Sequence, residues 1–225
     1  MVITIDGEQY TYKTSFDEFT IDEYLSLIQY LNLPIIGKVS KYTGIAEEIL
    51  NRLTLESISN IIQSVAFIED YNVLNALAEP YSGKDVGLDS FSKLEQAKQN
   101  ISSLTKVVSI YTGEDISGKP LLTEWHKCQF YLKSLNAFFD RFKRLNQHQY
   151  TDEELEADVE VLEGFKHYGI VFSYGKSRGM TNDEVLALPA IEIYTELLYD
   201  FEKSEYEKRY TDIINNRKEH FSKLV

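Results

Sequence analysis

The chain has 225 residues, enough for roughly one or two domains and a real core. Lys and Arg number 23 against 36 Asp and Glu, a net charge of −13 with a pI near 4.8. That excludes a general nucleic-acid binder, which needs a basic face to displace phosphate counterions, and it opposes docking on an anionic membrane. With 43% hydrophobic and 13% aromatic residues, the chain is not disordered.

Residues 2–5 and 9–12 alternate around Asp6-Gly7. Asp-Gly suits a type I′ turn, whose two central residues need positive φ, so Val2–Tyr12 reads as a β-hairpin. A lone hairpin is marginal in water and must lie on the helices that follow or on a partner. Thr20-Ile-Asp-Glu23 is a capping box that starts a helix ending near Asn32-Leu-Pro34. A second short helix reads over Ile45–Leu53. Thr54 caps a third, with Ile58, Ile61, Ile62, Val65 and Ile68 on its apolar face. Pro80–Gly87 is a loop and the best domain boundary.

Two long helices follow. The first is capped by Asp89 and carries Leu94, Ala97, Ile101, Leu104, Val108 and Tyr111. The second starts near Thr123 and carries Cys128, Tyr131, Leu135, Phe138, Phe142 and Leu145. Both stripes are spaced 3, 4, 3, 4, 3, the pattern of an antiparallel αα-hairpin. Thr151-Asp-Glu-Glu154 is another capping box, opening an acidic helix over 152–163 with Leu155, Val159 and Leu162 on its apolar edge. Gly175–Gly179 breaks the pattern. Thr181-Asn-Asp-Glu184 is a third capping box, and Pro189 ends its helix at Leu188. A final helix runs from Ala190 to near His220. One stripe holds Tyr194, Leu197, Leu198 and Phe201; another holds Tyr199, Tyr206, Tyr210 and Ile213. No internal repeat is evident. The reading is a mainly α protein: an N-terminal β-hairpin followed by a multi-helix assembly that includes a long central antiparallel αα-hairpin. The expected divisions are 1–82, 88–148 and 151–225.

No catalytic pattern emerges. Gly113–Pro120 has the G-x-x-x-x-G-K spacing of a phosphate loop, but proline stands where a Mg²⁺-binding hydroxyl belongs, and Glu114 and Asp115 would repel phosphate. Gly169–Ser177 has one residue too many. None of His126, His148, His167 and His220 lies four residues from another, and none forms a Cys/His set. Cys128, the single cysteine, rules out an internal disulfide, and its place on an apolar stripe marks a buried, inert thiol. No catalytic residue, cofactor, metal or small-molecule substrate is expected. The N-terminus has no signal-peptide pattern and no stretch suits a membrane helix, so synthesis in the cytoplasm is expected. The final helix has more apolar surface than one core face requires. Tyr199, Tyr206 and Tyr210 are therefore candidate protein-interaction residues, because tyrosine offers large contact area and a polar tip.

Ile3-Thr-Ile-Asp-Gly7 with Tyr10, then Phe19-Thr-Ile-Asp-Glu-Tyr24, resembles the opening of many small tailed-phage proteins. Tyr42-Thr-Gly-Ile45, Glu47-Glu-Ile-Leu50, Leu53-Thr-Leu55 and the helix to Phe67-Ile-Glu69 are similar to tail-assembly chaperones and related baseplate or neck proteins. Gly179–Pro189, running into Glu192–Leu198, resembles a further element of that group. The resemblance implies a non-enzymatic role in virion assembly, with other virion proteins as oligomeric partners and the virion, or the host cytoplasm during assembly, as location. One alternative is a tail-assembly chaperone absent from the mature virion; another is a cellular helical adaptor or regulator.

Overall fold

The structure is a computed structural model and describes residues 1–146, 155–156, 158, 161 and 165–222. It is 70% helical, with an N-terminal two-stranded antiparallel hairpin. The mainly α reading and the hairpin both hold. Strands β1 (Val2–Ile5) and β2 (Glu8–Thr11) pair Ile3 with Tyr10 and Ile5 with Glu8. The turn residues Asp6 and Gly7 have φ of +50° and +85°. The capping box at Thr151–Glu154 lies outside the described residues, as does most of the acidic helix over 152–163.

Among the described residues, 11 α-helices follow. They are α1 (Ile21–Ile28), α2 (Ile35–Thr43), α3 (Glu47–Leu50), α4 (Leu55–Val65), α5 (Tyr71–Leu77), α6 (Phe91–Gln99), α7 (Leu104–Thr112), α8 (Leu121–Arg141), α9 (Lys166–Arg178), α10 (Asn182–Ala187) and α11 (Ala190–Ser222). The capping boxes at Thr20–Glu23 and Thr181–Glu184 both form, and Thr54 accepts from Ser57 N. The start of α11 and the stop at Leu188 lie where the sequence placed them.

Three expectations about individual helices from α6 onward change. The helix expected from Asp89 to Tyr111 is two helices, broken over Asn100–Ser103. Ile101 is exposed there although it keeps the heptad spacing. Asn and Ser compete for backbone hydrogen bonds and favour caps and turns over helix interiors. The cap on α6 also shifts by one residue: Ser90 Oγ, not Asp89, accepts from Lys93 N. Lastly, Gly175 lies inside α9. A β-carbon there would come 2.8 Å from the Met180 carbonyl oxygen, so glycine lets the chain return close to the helix.

The chain divides into two compact units. Unit 1 is 1–83 with 100–132; unit 2 is 84–99 with 133–225. The first crossing, at Gly83–Lys84, falls in the expected loop. The others do not follow the divisions at 88–148 and 151–225, because α6 and α7, read as one helix, belong to different units.

Both units contain the same backbone seam. In unit 1, Ile21 N donates to Lys119 O and Leu121 N donates to Phe19 O, each at 2.9 Å, around an antiparallel bridge between Thr20 and Pro120. In unit 2, Phe91 N donates to Leu188 O at 2.7 Å and Ala190 N to Asp89 O at 2.9 Å, around a bridge between Ser90 and Pro189. Each proline occupies the non-hydrogen-bonded position, where its missing N–H costs nothing. Behind each seam lies matching core. Ile21, Tyr24 and Leu121 in unit 1, and Phe91, Leu94 and Ala190 in unit 2, are all fully buried. Tyr24 meets Trp125 edge-on with ring centroids 5.5 Å apart, and Tyr194 meets Phe91 at 6.1 Å.

A second repeat lies within unit 1. Val39-Ser-Lys-Tyr-Thr-Gly44 ends α2, and Val108-Ser-Ile-Tyr-Thr-Gly113 ends α7. Thr43 Oγ1 donates to Val39 O and Thr112 Oγ1 to Val108 O. Gly44 and Gly113 then close the helices at φ +74° and +76°, which non-glycine residues rarely adopt. The chain thus contains internal repeats, contrary to the expectation from its sequence.

Two outcomes follow from this architecture. A fragment ending at Leu132 contains all of unit 1 and should unfold cooperatively in urea. A fragment ending at Gln99 lacks α7 and the start of α8 and should not. Burial also holds the Tyr24 and Tyr194 phenols protonated well above the usual 10.0. Above pH 10 these groups ionise only on unfolding, so the folded state binds more protons and stability falls as pH rises. Each buried tyrosine adds a slope of up to about 1.4 kcal/mol per pH unit, measurable by urea titrations between pH 9 and 11.

Candidate interaction surface

The residues that sequence reading weighed for chemistry are placed as structure. Cys128 is fully buried, and burial, reinforced by the charges of Glu124 and Asp22, pushes its thiol up to about 12. A thiol so held is not a nucleophile. Nearby His126 places Nδ1 2.8 Å from the Glu79 carbonyl oxygen. In Gly113–Pro120 the polar groups are already engaged. Gly118 N donates to Asp22 Oδ2 at 2.9 Å, Ser117 N donates to Asp115 Oδ1 at 2.9 Å, and Lys119 pairs with Glu114 at 3.3 Å. The stretch Gly169–Ser177 lies within α9 and forms no loop. Among the described residues, no three His, Cys, Asp or Glu side chains cluster to hold a metal ion. No described helix is long and apolar enough to cross a membrane.

One buried charge escaped the sequence reading. Glu124 is 1% exposed and has Lys127 Nζ 3.1 Å from its Oε2; Lys127 also lies 3.9 Å from Glu114. Burial pulls the Lys127 ammonium down, but the hydrogen bond and charge of Glu124, with Glu114, outweigh this and the net shift is upward. Glu124 is the fourth residue after Pro120. Ile193, the fourth after Pro189 in the matching seam, is fully buried. The ion pair thus fills a position that elsewhere takes an aliphatic side chain, a structural role.

The surface that stands out lies on α11. Its first turns are core: Ala190, Ile193 and Tyr194 are buried, and Tyr194 packs on Phe138 and Phe142 with ring centroids 5.0 and 5.3 Å away. Glu202 is ion-paired with Arg144. From Lys203 to Arg217 only Glu205 and Ile214 are even half-buried, so the distal helix is open to solvent around nearly its whole circumference. Tyr199, Tyr206, Tyr210 and Ile213 lie along it, 65%, 61%, 55% and 52% exposed. The Tyr206 and Tyr210 rings stack 6.1 Å apart. All three candidate tyrosines therefore share one exposed stripe with Ile213. The ion pairs Lys203–Glu207 and Lys208–Glu205 lie within this segment.

Comparison with family models, curated sequences and solved structures finds no match to this chain.

The matched seams make the ion pair testable. Glu124→Leu should leave thermal stability unchanged or raise it, because the equivalent site already accepts isoleucine. Lys127→Met, which strands the buried carboxylate, should cost about 3 kcal/mol in a urea titration.

Proposed function

We propose that this chain is a non-enzymatic structural or assembly protein of a bacteriophage tail, neck or baseplate, working through protein–protein contacts. The observation that carries the reading is the tyrosine stripe on the open half of α11. Large aromatic side chains exposed in a row at helical spacing suit contact with another protein, because tyrosine is among the residues that carry most binding energy at interfaces. The N-terminal hairpin with its capped helix, and the Thr181-capped helix broken at Pro189, supply the resemblance to tailed-phage assembly proteins. The net charge of −13 keeps such a chain soluble and dispersed before assembly.

Quantitative mass spectrometry of purified phage particles, alongside infected cells, tests the reading. A fixed copy number per particle, such as a multiple of six, is expected of a built-in component. Presence in infected cells but not in particles makes the chain a tail-assembly chaperone. A single tight peptide partner in uninfected cells makes it a cellular adaptor instead and ends the virion reading.

A further inference from the structure

The spacing of residues along the open half of α11 says what can cover it. Tyr199, Lys203, Tyr206, Tyr210, Ile213 and Arg217 are separated by 4, 3, 4, 3 and 4 residues, the seam of a two-helix coiled coil. We propose that this segment pairs with the same segment of a second copy of the chain, antiparallel and centred on Lys208. The inference names the partner of the face on which the proposed function rests.

The charges in the seam select the direction. A parallel pair would stack Lys203 on Lys203 and Arg217 on Arg217, and would bring Glu202 of one copy beside Glu207 of the other. An antiparallel pair centred on Lys208 instead sets Tyr206 against Tyr210, Lys203 against Ile213 and Arg217 against Tyr199. The Lys203 stem then covers the isoleucine while its ammonium reaches water, and the Arg217 guanidinium lies over a tyrosine ring. The 4, 3, 4, 3, 4 spacing is symmetric about its centre, so each unlike pair forms twice, residue i on j and j on i, as an isologous interface requires. Its flanks bring Glu207 near Glu207 and Arg209 near Arg209, and each copy carries a net charge of −13. These like charges oppose the pair, so its association strengthens with salt.

The area suits a weak, reversible dimer. Tyr199 to Arg217 spans about 27 Å of helix. The exposed parts of four apolar side chains and two long basic stems come to about 600 Å² per copy, about 1,200 Å² in all, the lower edge of stable interfaces. The segment also has reason to pair. A helix of this length with no packed face is marginal alone, and burying one stripe stabilises it.

Sedimentation velocity of the full-length chain from micromolar to hundreds of micromolar, in 0.1 and 0.5 M NaCl, is the test. The expected result is a reversible monomer–dimer equilibrium, tighter at high salt. Tyr206→Glu/Tyr210→Glu should raise Kd by about 100-fold or more, while the melting temperature measured at low concentration, where the parent chain is also monomeric, stays unchanged. An equimolar mixture of Lys203→Cys and Ile213→Cys chains should oxidise to the mixed disulfide faster than either variant forms its own. A monomer at every concentration, a dimer indifferent to the double variant, or preferential Lys203→Cys homodisulfide would each overturn the proposal. The purified chain is assayed alone, so failure here leaves the particle measurement standing, and the reverse holds too.

Discussion

The exchange of two backbone hydrogen bonds between the entry segments of paired helices is what the rest of this structure hangs on. A helix N-terminus has four N–H groups without partners. Here the first N–H of α1 and of α8 finds a carbonyl on the other's entry segment, and α6 and α11 do the same. The exchange sets two helix starts side by side, so the residues that follow, Ile21 and Leu121 in one unit, Phe91 and Ala190 in the other, enter the core together. Pro120 and Pro189 suit the arrangement: extended, donor-free, and fixed at the φ that precedes a helix. Side chains then specialise each copy. Tyr24 with Trp125 fills one core, and Leu94 with Tyr194 the other.

Features carried by a few neighbouring residues were legible. The Asp6-Gly7 turn, the capping boxes at Thr20 and Thr181, the Thr54 cap and the stop before Pro189 each depend on contacts within four residues, and sequence spacing encodes those directly. Three helices carry little signal in the sequence: α9, whose glycines at 169 and 175 read as a break, and two shorter ones. α2 begins behind Pro34, which reads as a stop for the preceding helix but also serves as its N-cap. α5 is seven residues with one buried side chain, Leu74, too short for a periodic signal. The break at Asn100–Ser103 was masked because the heptad count runs through it undisturbed. The V-S-x-Y-T-G repeat was present in the letters and visible without coordinates. The seam repeat was not, since it shares an N-cap hydroxyl at Thr20 and Ser90 and a proline at 120 and 189 but few core residues.

The candidate surface was half legible. Period alone separates two stripes on α11 but does not tell which one the fold covers. Tyr194 and Tyr199 are five residues apart on the same helix; one is 8% exposed and the other 65%. The difference comes from Phe138, Phe142 and Phe91, which reach the first turns and no further. Glu124 shows the opposite failure. A lone acid among apolar neighbours reads as solvent-facing, yet Lys127, three residues on, lets it be buried. Composition along one helix does not report what arrives from elsewhere.

The interlacing of the two units has a consequence during synthesis. The chain passes from the first unit to the second at 83, returns at 99 and leaves again at 132. On the ribosome the hairpin and the first five helices emerge well before Lys119–Leu121, which complete their seam. α6 emerges long before Leu188–Ala190, which complete its own. Each half-seam therefore waits with open backbone groups while its mate is translated, and the second waits until most of its unit has been made. The capping box at Thr20–Glu23 on α1 and the Ser90 cap on α6 need only local contacts, so they can hold the waiting helix starts in shape during that delay. The strong acidity of the chain repels neighbouring nascent copies over the same interval.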